Sequence, residues 1–194
     1  IKETDLMDCN RMLEVNCNAL TLLTKIVLPY CGKRSGIVML ASASAFLPQP
    51  GFAVYAASKS YVLSFSRALR RELKKTGTTV TIVCPGPVDT PFLDTIGGKD
   101  SIPVIKRPFI MKTDKVVSVA IKDAAKGKEL SIPGISMKCF FRICKIVPHK
   151  VLLNWGYCLL DDMRKDYESK EKVINEQKTI LIAPSWQEDN IVDS

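Results

Sequence analysis

An α/β fold built on a parallel sheet is predicted for this 194-residue chain by three observations. Two long segments carry apolar residues at helical spacing. Each is followed by a short apolar run, Ile37–Leu40 and then Val80–Cys84. The second run ends abruptly in Pro85-Gly86-Pro87. Helix, buried strand, helix, buried strand is the pattern of right-handed parallel crossover units.

The first helix is predicted from Leu6 to Leu28. Leu6, Cys9, Leu13, Leu20, Leu23 and Val27 recur at steps of three and four, with Asn16 filling the gap. Thr4 and Asp5 are candidate caps, and Pro29 stops the run. A basic, Gly-containing turn then leads into Gly36–Ala41, where consecutive apolar residues predict a strand covered on both faces. Pro48 and Pro50 keep residues 42–51 out of helix.

Ala53 to Lys75 reads as the second long helix. Tyr55, Val62, Leu63, Phe65, Leu69 and Leu73 are its apolar positions, with Arg67, Arg70, Arg71, Glu72 and Lys74 mostly opposite. Gly77 ends it, and Thr79–Cys84 follows as a β-branched strand. Residues 91–112 read as a loop with short helical pieces. Thr113 or Asp114 caps a third helix to about Ala125, closed by Gly127, and Leu130–Ile132 makes an edge strand. Residues 1–135 thus form the main unit. Residues 136–163 are an apolar and basic helical segment broken at Pro148, and 164–194 a polar tail expected to be poorly ordered.

Composition narrows the function classes. No run of about 20 apolar residues is present, so a membrane-spanning helix is not expected. One His and seven cysteines without a CxxC pair argue against a metal site. The odd cysteine count reads as buried thiols in a reducing, cytoplasmic setting. The net charge of +8 conceals an asymmetry: residues from Asp161 onward hold 9 acidic and 5 basic side chains, leaving a basic surplus in the rest. That surplus suits a phosphorylated cofactor, a membrane surface or nucleic acid, or is simply a solvated surface. With no recognition motif or stacking platform, nucleic acid is not an expected partner.

The chemistry concentrates around Tyr55 and Lys59, four apart and therefore on one face of the second helix. A phenol is a poor base at neutral pH, but a nearby ammonium favours the phenolate, which can exchange a proton with a carbonyl or alcohol oxygen. Ser42 stands 13 positions earlier, just past a buried strand, where open α/β sheets bind ligands. Its hydroxyl can hold a substrate oxygen. Ser44 is an alternative for that role, and a turn-capping Ser the plainer reading. In Pro85-Gly86-Pro87-Val88-Asp89-Thr90, Gly86 would let backbone approach a ligand and Thr90 offers a hydroxyl. An ordinary tight turn explains the same letters.

Val15-Asn16, Ala41-Ser42, Tyr55-Ala-Ala-Ser-Lys59 and Pro85-Gly86-Pro-Val-Asp-Thr90 together resemble the short-chain dehydrogenase/reductase family in order and spacing. The resemblance covers about residues 1–135. It implies the catalytic, C-terminal half of a Rossmann-like, doubly wound parallel sheet. The implied activity is NAD- or NADP-dependent interconversion of a carbonyl and a secondary alcohol. It makes Tyr55 the acid/base, Ser42 the holder of the substrate oxygen, and Lys59 the ligand of the nicotinamide ribose. Asn16 would bend its helix and hold a water of the proton relay. Pro85, Gly86, Val88 and Thr90 would contact the nicotinamide side, and the two long helices would pair across a two-fold axis in a homodimer or tetramer.

The family's Gly-rich opening βαβ unit is not found in the sequence. A fragment or a truncated product, inactive alone, is therefore the expectation. In residues 91–112, Phe92, Leu93, Ile96, Ile102, Val104, Ile105 and Phe109 fall where the family places its substrate loop, which suggests a lipid-like or steroid-like substrate. Phe140, Phe141, Trp155 and Tyr157 among basic residues suit either peripheral membrane contact or burial against the sheet. The alternative to an enzyme is an inactive remnant that binds a partner or a membrane.

Overall fold

A computed structural model of the chain describes residues 4–91 and 109–147. Strands β1 (Gly36–Leu40), β2 (Thr79–Val83) and β5 (Leu130–Ser131) form a parallel sheet in the spatial order β1-β2-β5. Gly36 lies opposite Thr79 and Leu40 opposite Val83. The β-branched strand takes the centre, with Val80 and Ile82 fully buried. Helix α3 (Ala53–Glu72) packs on the sheet through Val62, Leu63 and Leu69. Arg70 fastens the far end of α3, donating to the Val80 carbonyl at 2.7 Å and the Gly127 carbonyl at 2.8 Å. Gly77 and Gly127 both turn with positive φ (78° and 62°), which explains glycine at these two helix exits.

The first predicted helix is interrupted. Helix α1 (Leu6–Leu13) and α2 (Leu20–Val27) are joined by a π-helical turn, Glu14–Ala19. Asp5 is the cap, its carboxylate accepting from the Met7 amide at 3.4 Å. The predicted apolar stripe does not face the core as a unit, for Leu6, Leu13, Leu23 and Val27 are exposed. A π-turn adds one residue and rotates everything after it by about 100°. Beyond that turn the inward face runs through Leu20, Thr24 and Leu28 instead.

Strand β1 also departs from expectation. Ile37 and Met39 face the core, but Val38 is 54% and Leu40 60% exposed. Among the described residues β1 is an edge strand with one covered face, so its consecutive apolar letters do not mean double burial. A second, unpredicted parallel pair joins β3 (Val88–Asp89) to β4 (Met111–Lys112). Helix α4 (Thr113–Ala125) follows with Lys112 at the cap position and no side-chain cap. The Thr113 hydroxyl, expected to cap, donates to the Asp89 carbonyl at 3.0 Å and ties α4 to β3.

Helix α5 (Ile135–Ile146) opens the apolar and basic segment and packs on the main unit. Phe140 and Phe141 lie against the core, with Phe141 4.7 Å from the Phe46 ring. Six free cysteines lie among the described residues. Cys84 and Cys144 are buried, but Cys139, on the outward side of α5, is exposed. Burial pushes the Cys84 thiol up to about 12, against the opposing charge of Arg67. No helix among the described residues is long and apolar enough to cross a membrane. Phe109 is exposed. The other apolar residues of the expected substrate loop, the stretch with Trp155 and Tyr157, and the tail from 164 lie outside the described residues.

Candidate active site

The carboxyl ends of β1 and β2 stay joined past their last residues. The Ala41 amide donates to the Val83 carbonyl at 2.9 Å and the Ala43 amide to the Pro85 carbonyl at 2.8 Å. Ser42 is held between these two bonds, beside the Pro85-Gly86 turn. Its nearly buried hydroxyl accepts from the Ser44 amide at 3.1 Å, capping a 3-10 turn, Ala43–Phe46. The capping role is thus occupied, and the hydroxyl keeps its own proton for another partner.

Tyr55 stands in the first turn of α3, half-buried, and Lys59 one turn later. The Lys59 Nζ lies 5.8 Å from the centre of the Tyr55 ring. It donates to the Leu40 carbonyl, the last of β1, at 3.3 Å, and to Asn16 Oδ1 at 3.4 Å. Asn16 Nδ2 in turn donates to Ser58 Oγ at 3.0 Å. Asn16, Tyr55 and Lys59 therefore meet at the end of β1. Ser42, two residues beyond Leu40, has its Cα within about 7 Å of the Leu40 Cα.

The electrostatics follow from partial burial. Desolvation lowers the Lys59 ammonium below the usual lysine range, with the Cys17 thiol opposing it. Burial raises Cys17, opposed by the Lys59 charge. Ser58, fully buried between Asn16 and Tyr55, is a member of the cluster that the sequence reading passed over. Its one signal was a polar residue on the inward face of α3.

The turn after β2 is more mixed. A Cβ on Gly86 would stand 2.7 Å from the Met137 sulfur of α5, so the missing side chain makes room for Met137. That is a packing reason for the glycine, and it stands beside the expected approach to a ligand. Val88 is paired in β3, and the Thr90 hydroxyl turns to the Val88 carbonyl at 3.4 Å.

The family model for the short chain dehydrogenase matches residues 1–100. The chain belongs to the short-chain dehydrogenase family. The matched stretch is the first half of this chain; it establishes the family but lends no support to reading the chain as the family's C-terminal half. Sulfoacetaldehyde reductase 2 of Chromohalobacter salexigens is 39% identical over 94 residues, covering 47% of this chain and 37% of that protein. A short-chain dehydrogenase from Sphingobium yanoikuyae, solved with NADPH, shares the fold at a TM-score of 0.61 and 24% identity, over 91% of this chain and 62% of that one. Another from Burkholderia cenocepacia, solved with NADP, gives 0.58 and 26%, over 69% and 58%. This member of the family thus spans less than two thirds of the length of each of these three relatives.

Proposed function

We propose that residues 1–135 carry the acid/base half of an NAD- or NADP-dependent oxidoreductase that interconverts a carbonyl and a secondary alcohol. The carrying observation is the position of Lys59, whose Nζ sits between the Tyr55 ring, Asn16 Oδ1 and the Leu40 carbonyl. Two structural neighbours were solved with NADPH and NADP, which supports a nicotinamide dinucleotide as cofactor. When bound, such a cofactor would supply the hydride or accept it.

The residues fit that partner on the Lys59 side. An ammonium carries three protons, and two of them point at Asn16 and Leu40, leaving one for a ribose hydroxyl. Tyr55 Oη gives a proton to the carbonyl oxygen, or removes one from the alcohol. The Lys59 charge stabilises negative charge developing on that phenolic oxygen. Ser42 Oγ, already ordered by the Ser44 amide, donates to the same substrate oxygen. Asn16 holds the water through which the proton returns. The backbone from Pro85 to Val88, with Thr90, borders the nicotinamide.

Exposed Leu22, Leu23 and Ile26 on α2 support pairing of this helix with a second copy. A lipid-like substrate is supported by the apolar residues between 92 and 109.

The test is turnover by the protein that carries this sequence, with both nucleotides and a panel of apolar ketones and alcohols, followed through nicotinamide absorbance. Tyr55→Phe should lower kcat by about 100- to 10,000-fold while nucleotide affinity persists. Full activity in Tyr55→Phe would end the proposal.

A further inference from the structure

Ser58 precedes Lys59 by one residue and is 1% exposed, yet its hydroxyl both donates and accepts a hydrogen bond. Its proton goes to the Tyr55 carbonyl at 2.8 Å, within α3. With that proton committed, Ser58 Oγ can meet Asn16 only as an acceptor, and Asn16 Nδ2 donates to it at 3.0 Å. An amide presents its nitrogen on one side and its oxygen on the other. Holding Nδ2 at Ser58 therefore leaves Oδ1 to face Lys59 Nζ, at 3.4 Å. The reversed amide would set an NH2 group against an ammonium and an oxygen lone pair against an oxygen that has no proton to give. Both errors occur in a poorly solvated place, where they cost most.

We infer that Ser58 is a positioning residue: its hydroxyl fixes the orientation of the Asn16 amide, and so delivers Oδ1 to the Lys59 ammonium. The backbone alone does not do this. Asn16 sits in the π-helical turn, on a different element from Lys59, and Ser58 is the side chain bonded to its Nδ2. The groups facing Lys59 are Asn16 and the Cys17 thiol from the π-turn, the Leu40 carbonyl from β1, and Tyr55 from α3 itself. Of these, Asn16 Oδ1 is the acceptor whose direction Ser58 sets. The catalytic consequence rests on the function proposed above, whereas the positioning does not.

The decisive measurement is the titration of Lys59 in the full chain, read by NMR of isotopically labelled lysine and assigned with Lys59→Arg. Ser58→Ala should move the Lys59 pKa further down, because the ammonium loses an acceptor. Asn16→Ala should move it by the same amount, and the double variant no further. Ser58→Thr, which keeps the hydroxyl, should titrate like the native chain. If Ser58→Ala fails to fold, Ser58→Thr and the near-isosteric Ser58→Val replace it, differing only in that hydroxyl. Identical Lys59 titrations in Thr and Val, or additive shifts in the double variant, would overturn the inference. Where turnover is present, Ser58→Ala should lower kcat about tenfold at unchanged KM, as for one lost hydrogen bond to a charged group. Absence of turnover in the native protein counts against the proposed function, and the lysine titration still decides the role of Ser58.

Discussion

The ammonium of Lys59 lies 5.8 Å from the centre of the Tyr55 ring and is bound to the carbonyl that closes β1. A cation drawn partly out of water at the end of a strand opposes folding. Its pKa is lowered because burial penalises the charged form, more than its neighbours compensate. The arrangement sacrifices some stability at the proposed site.

Replacing that lysine should therefore stabilise the chain. The folded-state pKa lies below the ordinary 10.5, so the unfolded chain binds more protons between the two values. The penalty is complete below the folded pKa and fades as pH rises toward 10.5. Lys59→Met should gain at most about 1 kcal/mol in urea unfolding at neutral pH, because solvent reaches part of the ammonium and screens its penalty, with the gain shrinking in alkali. A variant less stable than the native chain at neutral pH would show that the bonds to Asn16 and Leu40 outweigh desolvation.

The class of fold was legible because β2 is β-branched and central, and because α3 carries a regular apolar face that ends at Gly77. Tyr55 and Lys59 were legible for the same reason: regular helix converts a spacing of four into proximity. The π-turn shows in the letters only as Asn16, the polar residue in the gap of the stripe, which the family resemblance expects to bend its helix. Its extra residue turns Leu23 and Val27 outward, whereas Leu6 and Leu13 are exposed ahead of it, in a helix that buries no residue. The exposure of Val38 and Leu40 was hidden because an apolar run reports chemistry without reporting what covers it. The β3–β4 pair escaped because two residues on each side are too few for a pattern. Ser58 escaped because a buried hydroxyl satisfied by an amide from another helix is a tertiary fact.

Acid should expose a second electrostatic device, in the turn between α4 and β5. Asp123 accepts from Lys128 Nζ at 2.6 Å and from the buried Ser131 hydroxyl at 2.9 Å. Burial alone would raise this carboxyl, but the bonds from Lys128 and Ser131 and the charges of Lys128 and Lys138 hold it below the ordinary 3.8. Its contribution is present above 3.8 and is lost as pH falls through the depressed folded value. Asp123→Asn should cost about 2 kcal/mol at neutral pH, since hydrogen bonds to a charged group are lost. Urea melts of the two proteins should converge below the ordinary carboxylate range. A gap that stays constant into acid would mean that packing, not ionisation, sets the effect.

Gly86 allows packing and ligand approach to be separated. A Cβ there would meet the Met137 sulfur at 2.7 Å and its Cγ at 2.8 Å, closer than real contacts allow. The obstacle is a flexible side chain, so Gly86→Ala should be tolerated at a cost of about 1–2 kcal/mol. Met137→Ala should relieve the clash, and the double variant should be more stable than the sum of the single losses implies. Equilibrium unfolding of the four proteins measures that coupling. Nucleotide affinity supplies the other half: if the glycine serves Met137, Gly86→Ala/Met137→Ala binds NAD or NADP as the native chain does. A double variant that regains stability but still fails to bind would return Gly86 to the nicotinamide side, with close backbone approach as its reason.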